Sequence, residues 1–261
     1  MKRSLGIFLI LGMVMMSCGE TPNEDVGEAP QVPSASTLEV DYNGFQSAPK
    51  VTSVQTSDNF STAALLATTM GGIVRASAAI PKTILAGAQN TTPEYIGDST
   101  WKWTFTADGE EGSFTITLLA VTDRQNVNWE FYVTTSAGNL DWNLALLMSG
   151  TSTYDGSEGM WLIHNPENEE VVASTVWEFT DDSNTVDMSF YEDGNEDPFA
   201  SILYTYADPE KTLVFDNLNE DTQTVIKWNT TTGEGSLTSD NYNDGEKACW
   251  DSSFQDVSCP V

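Results

Sequence analysis

Histidine and cysteine, the side chains most often used as bases, nucleophiles or metal ligands, are scarce in this chain of 261 residues. There are one histidine and three cysteines. The histidine, His164, lies in the segment MWLIHNPE. A serine, histidine and aspartate triad needs a nucleophile in a strained turn, and no G-x-S-x-G segment or similar context is present. We therefore expect His164 to be an ordinary residue at a strand end, and we predict no catalytic residue.

Acidic side chains are the most abundant candidates for chemistry, with 39 aspartates and glutamates against 10 lysines and arginines. A carboxylate-based glycan hydrolase needs two such groups at a defined separation, and so acidic a chain supplies pairs by chance. Clustered carboxylates in DDSNTVD, YEDGNED and DNYNDGE suit Ca²⁺, but none of these segments fits the EF-hand register. Solvated turns are the preferred interpretation and calcium the alternative, so no metal ligand or cofactor is predicted.

The chain begins MKRSLGIFLILGMVMMSCGE, in which a basic start precedes an apolar run. Lys2 and Arg3 come first, and the apolar residues extend from Leu5 to Met16. This run is shorter than the roughly 20 residues that span a membrane as a helix. The layout is typical of an export signal that is removed from the mature protein, and we assign residues 1–17 to a signal peptide.

Cys18 follows the apolar run and the small residue Ser17, in the stretch MMSCGE. This stretch resembles the lipobox of bacterial lipoproteins, although that family prefers leucine where Met15 stands. The resemblance implies cleavage before Cys18 and lipidation of its sulfur, so that acyl chains such as palmitate anchor the protein in a membrane. The tail YNDGEKACWDSSFQDVSC resembles the endings of uncharacterised envelope lipoproteins of the Bacteroidota type.

Two cysteines remain once Cys18 carries lipid, and both lie in the segment ACWDSSFQDVSCPV. In an exported chain, Cys249 and Cys259 are therefore predicted to form one disulfide bond at the C-terminus. Closing so short a ring stabilises the fold by about 2–3 kcal/mol in the loop-entropy model.

The net charge bears on the choice of partners. It is −29 for the whole chain, and removal of residues 1–17 would make it −31. A field of this sign repels nucleic acid and anionic lipid surfaces, so we expect no nucleic acid partner and contact with the membrane through acyl chains alone.

Composition divides the mature chain into a tether and one domain. Residues 18–56 are acidic and contain prolines, with few large apolar side chains, and predict a disordered tether. Leu38, Val40, Tyr42 and Phe45 are its candidates for local docking. Residues 57–261 form the domain, which begins with an alanine-rich helical segment at 57–90 that Pro81 should end or restart.

From Thr100 onward, apolar and polar residues alternate with the period of two expected for half-buried strands. Eleven such runs are separated by turns, several of them rich in Asp-Gly. The pattern predicts a mainly β fold: an antiparallel up-and-down meander of about 10–11 strands. We expect the sheet to close into a barrel or to curve strongly, and a β-sandwich is the alternative.

An aromatic stripe is the main candidate for a binding feature. Its residues share one face of the early strands and either fill the interior or line an apolar cavity. The members are Trp101, Trp103, Phe105, Trp129, Phe131 and Trp142.

Together these observations predict a non-enzymatic lipoprotein of the bacterial cell envelope, lipid-anchored at the outer membrane. Its expected role is binding or surface structure, with a hydrophobic small molecule or another envelope protein as partner. A carrier of apolar ligands is the first alternative, and the glycan hydrolase is the second.

Overall fold

The computed structural model describes residues 27–43, 58–109, 112–123, 125–136, 141–192 and 194–259. Within these ranges, fourteen antiparallel strands form a single sheet, in which each strand pairs with its neighbours along the chain. This confirms a mainly β meander preceded by one helical segment. The strands are β1 (Glu94–Gly97), β2 (Thr100–Gly109), β3 (Gly112–Asp123), β4 (Asn126–Thr135), β5 (Trp142–Thr153), β6 (Glu158–His164), β7 (Val171–Phe179), β8 (Asn184–Phe190), β9 (Ala200–Ala207), β10 (Glu210–Asn217), β11 (Thr222–Asn229), β12 (Gly235–Ser239), β13 (Ala248–Trp250) and β14 (Asp256–Val257).

The eleven alternating runs of the sequence correspond to β2 through β12. The three further strands, β1, β13 and β14, have only four, three and two residues. They are too short to show a period of two, which is why the predicted number of strands is too low.

The sheet is not closed, so the expected barrel is wrong. Its strand order runs from β1 to β14, and each of these edge strands has one partner in the sheet. The helix α1 (Asp58–Gln89) contacts β2 near one edge and β12, β13 and β14 near the other. An open sheet is compatible with the strongly curved sheet and the sandwich that the sequence left open.

Helix α1 is one continuous element of 32 residues, so the prediction that Pro81 ends or restarts it is wrong. Proline removes one backbone hydrogen bond, but here its ring is buried beside Ala78 and Ile84, and this packing offsets the loss. Of the described helices, α1 is long and apolar enough to cross a membrane by length and composition, although 33% of its most apolar window is buried within the fold. A helix that packs in the core of a domain can have the same length and composition.

Residues 27–43 form an ordered segment, which we call the strap, containing the short 3-10 helix Ala35–Leu38. Val32, Leu38 and Val40 belong to the hydrophobic core, and Leu38 is fully buried. The indole N–H of Trp161 donates to the hydroxyl of Thr37 over 3.0 Å. This packing differs from the tether predicted for 18–56, because long-range contacts supply the apolar surroundings that the composition lacks. Phe45 lies outside the described residues.

Four tryptophans cross the core side of the sheet in one row, which we call the tryptophan row. Successive ring centroids lie 5.9, 6.4 and 5.2 Å apart. Its members are Trp103, Trp129, Trp161 and Trp177.

Glycines on neighbouring strands make room for these rings. Gly150 pairs with Trp161, and Gly159 pairs with Trp177. A Cβ at Gly150 or Gly159 would lie 2.5 or 2.6 Å from the facing ring. A backbone carbonyl oxygen, of Met160 at Gly150 and of Thr151 at Gly159, would lie still closer, so a larger residue would disturb both the neighbouring strand and the indole, which explains glycine in the middle of two strands.

Candidate binding site

The aromatic stripe predicted from the sequence lies on the core side of the sheet. Trp103, Trp129 and Phe131 are buried. Trp101, Phe105 and Trp142 are half-buried and pack against the same core. The same hydrophobic core includes Val32 and Leu38 of the strap, so this face fills the interior.

The predicted disulfide pair is in place, whereas Cys18 lies outside the described residues. Cys249 and Cys259 are at bonding distance, with Cα atoms 5.2 Å apart. The side-chain amide of Asn59, at the start of α1, donates to the carbonyl of Cys249 over 2.9 Å. The hydroxyl of Tyr242 donates to the same side chain over 2.8 Å. The C-terminal strands and the helix start are thus joined at one place.

The three acidic segments considered for calcium do not converge in the described chain. Within the described ranges, no group of three or more histidine, cysteine, aspartate or glutamate side chains could hold a metal ion. Asp193, in the second segment, lies outside those ranges.

His164 is the last residue of β6, and its ring contacts a serine that the sequence analysis did not connect with it. Its Nε2 lies 2.9 Å from the hydroxyl of Ser149, and its Nδ1 lies 2.9 Å from the backbone carbonyl of Glu169. This is the geometry of a nucleophile, a base and an orienting group.

The surroundings of Ser149 do not suit acyl transfer. Ser149 lies within β5, which pairs with strands on both sides, so backbone N–H groups there are committed to the sheet. Glu130 on β4 pairs directly with Ser149, and its negative charge would destabilise the oxyanion that forms during acyl transfer. We interpret the contact with His164 as a polar cross-strand pair.

A cavity of about 540 Å³ opens at one end of the strands, and we call it the end pocket. Turn 230–233 between β11 and β12 and the adjoining ends of β9 and β10 line it. Because the strands alternate in direction, the β5–β6 turn lies at the same end of the sheet. The strap, the first turn of α1 and the C-terminal segment supply the remaining wall, including Asn43, Phe60 and Phe254.

An ion pair between a buried ammonium and a half-exposed carboxylate forms part of the pocket wall. The ammonium of Lys211 lies 2.6 Å from the carboxylate of Asp41, and their side chains are 5% and 45% exposed. The same ammonium lies 5.5 Å from the ring centroid of Tyr206 and 5.9 Å from that of Trp228. The strap thus brings the counter-charge that allows Lys211 to face inward from β10.

Two tryptophans of the pocket are fixed by hydrogen bonds through their indole nitrogens. Trp228 donates to the carbonyl of Asn43 over 3.2 Å, and Trp250 donates to that of Gly233 over 2.8 Å. With these donors engaged, both indoles offer mainly apolar surface.

The tyrosine hydroxyls here are held in the protonated form. Burial, and then the charge of Asp41, raises the pKa of Tyr204 above its ordinary value of 10.0. A hydrogen bond from Tyr206 to Asp208 raises the pKa of Tyr206. Neither phenol ionises near neutral pH.

No pattern in the sequence predicts the end pocket, although one signal for the inward position of Lys211 is present. Lys211 and Leu213 share a face of β10, because side chains two apart point to the same side of a strand. This parity places the lysine inward. The partner Asp41 is 170 positions away, and no pattern in the sequence joins the two.

Comparison of the chain with protein-family models, with curated proteins and with solved structures finds no significant match in any of the three.

Proposed function

We propose that the protein is a non-enzymatic lipoprotein of the bacterial cell envelope, anchored at the outer membrane through Cys18, with a binding role carried by the end pocket. The export-type start and the lipobox resemblance support the anchor. The end pocket, with its aromatic walls and ion pair, is the observation that carries the binding role.

The carrier of apolar ligands receives less support. The strap, α1 and the tryptophan row occupy the core side of the sheet, and Leu38, Trp161 and Leu85 are fully buried there. Space that side chains fill is closed to an apolar ligand of ordinary size.

Hydrolysis of glycans also receives less support. Asp41 is the one carboxylate among the described residues that line the end pocket, and its charge is engaged by Lys211. Glycoside hydrolysis by the usual route needs two carboxyl groups.

The anchor is tested with Cys18→Ser in the expressing bacterium. We expect acylated wild-type protein in the membrane fraction and an unacylated precursor for the variant. The double variant Cys249→Ser, Cys259→Ser is the matched control, because it lacks two cysteines but keeps Cys18, and it should still be acylated. Mass spectrometry that finds an unmodified mature N-terminus in the wild type would contradict the proposal.

The choice between end pocket and apolar carrier is tested with Nile red on the purified wild-type protein. A filled interior predicts no stoichiometric binding of this dye to the native state. Saturable binding that Leu38→Ala alters would instead support the carrier.

A further inference from the structure

The end pocket has the size of a small-molecule site and almost no net charge. Its volume of about 540 Å³ lies within the range of roughly 300–1,000 Å³ that is typical of such sites. Among its described lining residues, Asp41 and Lys211 are the charged ones, and they offset each other. The chain around it carries a net charge of −29, which repels anionic ligands. These charges disfavour an anionic ligand, and with Asp41 already paired with Lys211 the pocket offers no unpaired carboxylate to a cationic one.

Aromatic side chains give the pocket its apolar surface. Tyr206 and Phe254 are half-exposed, so ring surface is available for contact. Phe254 is held in place by Phe60, with ring centroids 4.5 Å apart. The nearly buried indoles of Trp228 and Trp250 line the cavity behind them. Rings of this kind pack well against flat C–H surfaces.

Polar groups alternate with these rings around the same cavity. The carboxylate of Asp41 is partly exposed and accepts hydrogen bonds, whereas the amide of Asn43 can donate and accept. The hydroxyls of Thr231 and Thr232 lie at the exposed rim. A purely apolar ligand would remove these groups from water without replacing their hydrogen bonds, which costs free energy. A ligand rich in hydroxyls would replace them.

We propose that the end pocket binds a neutral saccharide, a deduction that rests on the binding role proposed above. A sugar ring combines C–H surface, which contacts Tyr206 and Phe254, with hydroxyls that donate to Asp41 and accept from Asn43. The ion pair keeps the Asp41 carboxylate next to Lys211, so the carboxylate is already positioned when the ligand enters.

The test uses the mature, full-length protein in a detergent whose head group is not a sugar. Isothermal titration calorimetry measures binding of D-glucose, N-acetyl-D-glucosamine, maltotriose, cellotriose and triacetylchitotriose, and D-glucuronate is the anionic comparison. We expect at least one neutral sugar to bind with a Kd of about 1 mM or tighter. Binding of a monosaccharide would indicate a free sugar as ligand, and binding of trisaccharides alone would indicate a glycan chain. Both results support the proposal.

The variants compared are Phe254→Leu and Phe114→Leu, each of which replaces one half-buried phenylalanine with an apolar residue of similar size. Loss of the ring at 254 should weaken binding about tenfold, because ring contacts to the ligand are lost. Phe114, on β3, is not among the residues lining the pocket, so its variant should bind as the wild type does.

Three results would overturn the saccharide site: no binding of any of the five neutral sugars, equal weakening by both variants, or binding of glucuronate as tight as that of the best neutral sugar. None of these bears on acylation of Cys18, so failure of the sugar site and failure of the anchor are distinguishable.

Discussion

The tryptophan row and the end pocket both contain tryptophans, but the surroundings of these side chains differ. In the row, Trp161 is fully buried, stacks on Trp177 and donates to Thr37 of the strap. In the end pocket, Trp228 and Trp250 lie beside a charged lysine and an open cavity. The strap contributes differently to the two regions. Its 3-10 helix fills the space next to the tryptophan row, whereas in the end pocket it contributes the carboxylate of Asp41 and leaves a cavity open. Tryptophan on a core face therefore indicates burial, and not by itself a ligand site.

The largest expected effect is at the tryptophan row. Trp161→Ala removes a fully buried indole and should lower the free energy of unfolding by about 3–5 kcal/mol. Trp142→Ala is the control at a half-buried position of the neighbouring strand β5, and it should lower the free energy of unfolding clearly less. Urea unfolding of both variants measures the difference.

Trp161→Phe covers the case in which Trp161→Ala does not fold. It keeps a ring but loses the donor to Thr37, so it should cost about 1–3 kcal/mol. If Trp161→Ala and Trp142→Ala destabilised equally, the conclusion that the tryptophan row is the more tightly filled part of the core would be wrong.

A smaller effect is expected at the ion pair of the pocket. Asp41→Asn leaves the buried ammonium of Lys211 without its counter-charge and should cost about 2–3 kcal/mol, discounted because Asp41 is half-exposed. Lys211→Met leaves a carboxylate that water can reach, and should cost within about 1 kcal/mol. Thermal unfolding of both variants tests this asymmetry, and the reverse order would show that Lys211 is not the desolvated partner.

The smallest effect concerns alkaline pH. The raised pKa of Tyr204 means that the folded state holds this proton more tightly than the unfolded state does. The stability that follows is fully present below the ordinary pKa of 10.0 and is lost as the pH rises above it.

Tyr204→Phe should therefore reduce the fall in melting temperature above about pH 10. Tyr95→Phe, near the opposite edge of the sheet, is the control, and its melting temperature should fall as steeply as that of the wild type. Melting curves between pH 8 and 11.5 measure the slopes. Equal slopes for the wild type and Tyr204→Phe would show that this phenol does not contribute to alkaline unfolding.

Alternation along the chain was enough to predict the fold class and β2 through β12. The period of two is a local property, and it also places Trp103, Trp129 and Phe131 on one buried face. Helix α1 was predicted from its composition, but its passage through Pro81 depends on packing that no local rule contains. Closure was misjudged because strand number alone does not say whether a helix occupies the gap between the edges.

The strap and the end pocket could not be predicted in this way. Leu38 and Val40 lie among polar residues and prolines, and the strap segment that holds Leu38 packs against α1 and β7, which no local pattern joins to it. The pocket takes residues from the strap, α1 and the β9–β14 region, which only the folded chain brings together. The contact between Ser149 and His164 likewise required the register of two strands.

The place where the strap begins limits how far the domain can stand from a membrane. The carbonyl of Glu28 accepts a hydrogen bond from the Tyr154 hydroxyl, so the chain is already part of the fold at this point. With lipid on Cys18, eight residues lie between the anchor and Gly27, and the nine steps from Cys18 to Gly27 reach about 30 Å when fully extended. A freely mobile segment of 18–56 would reach about four times as far. If Cys18 is the anchor, the domain therefore lies within about 30 Å of the bilayer. The chain from the anchor joins the domain at the end of the sheet that carries the pocket.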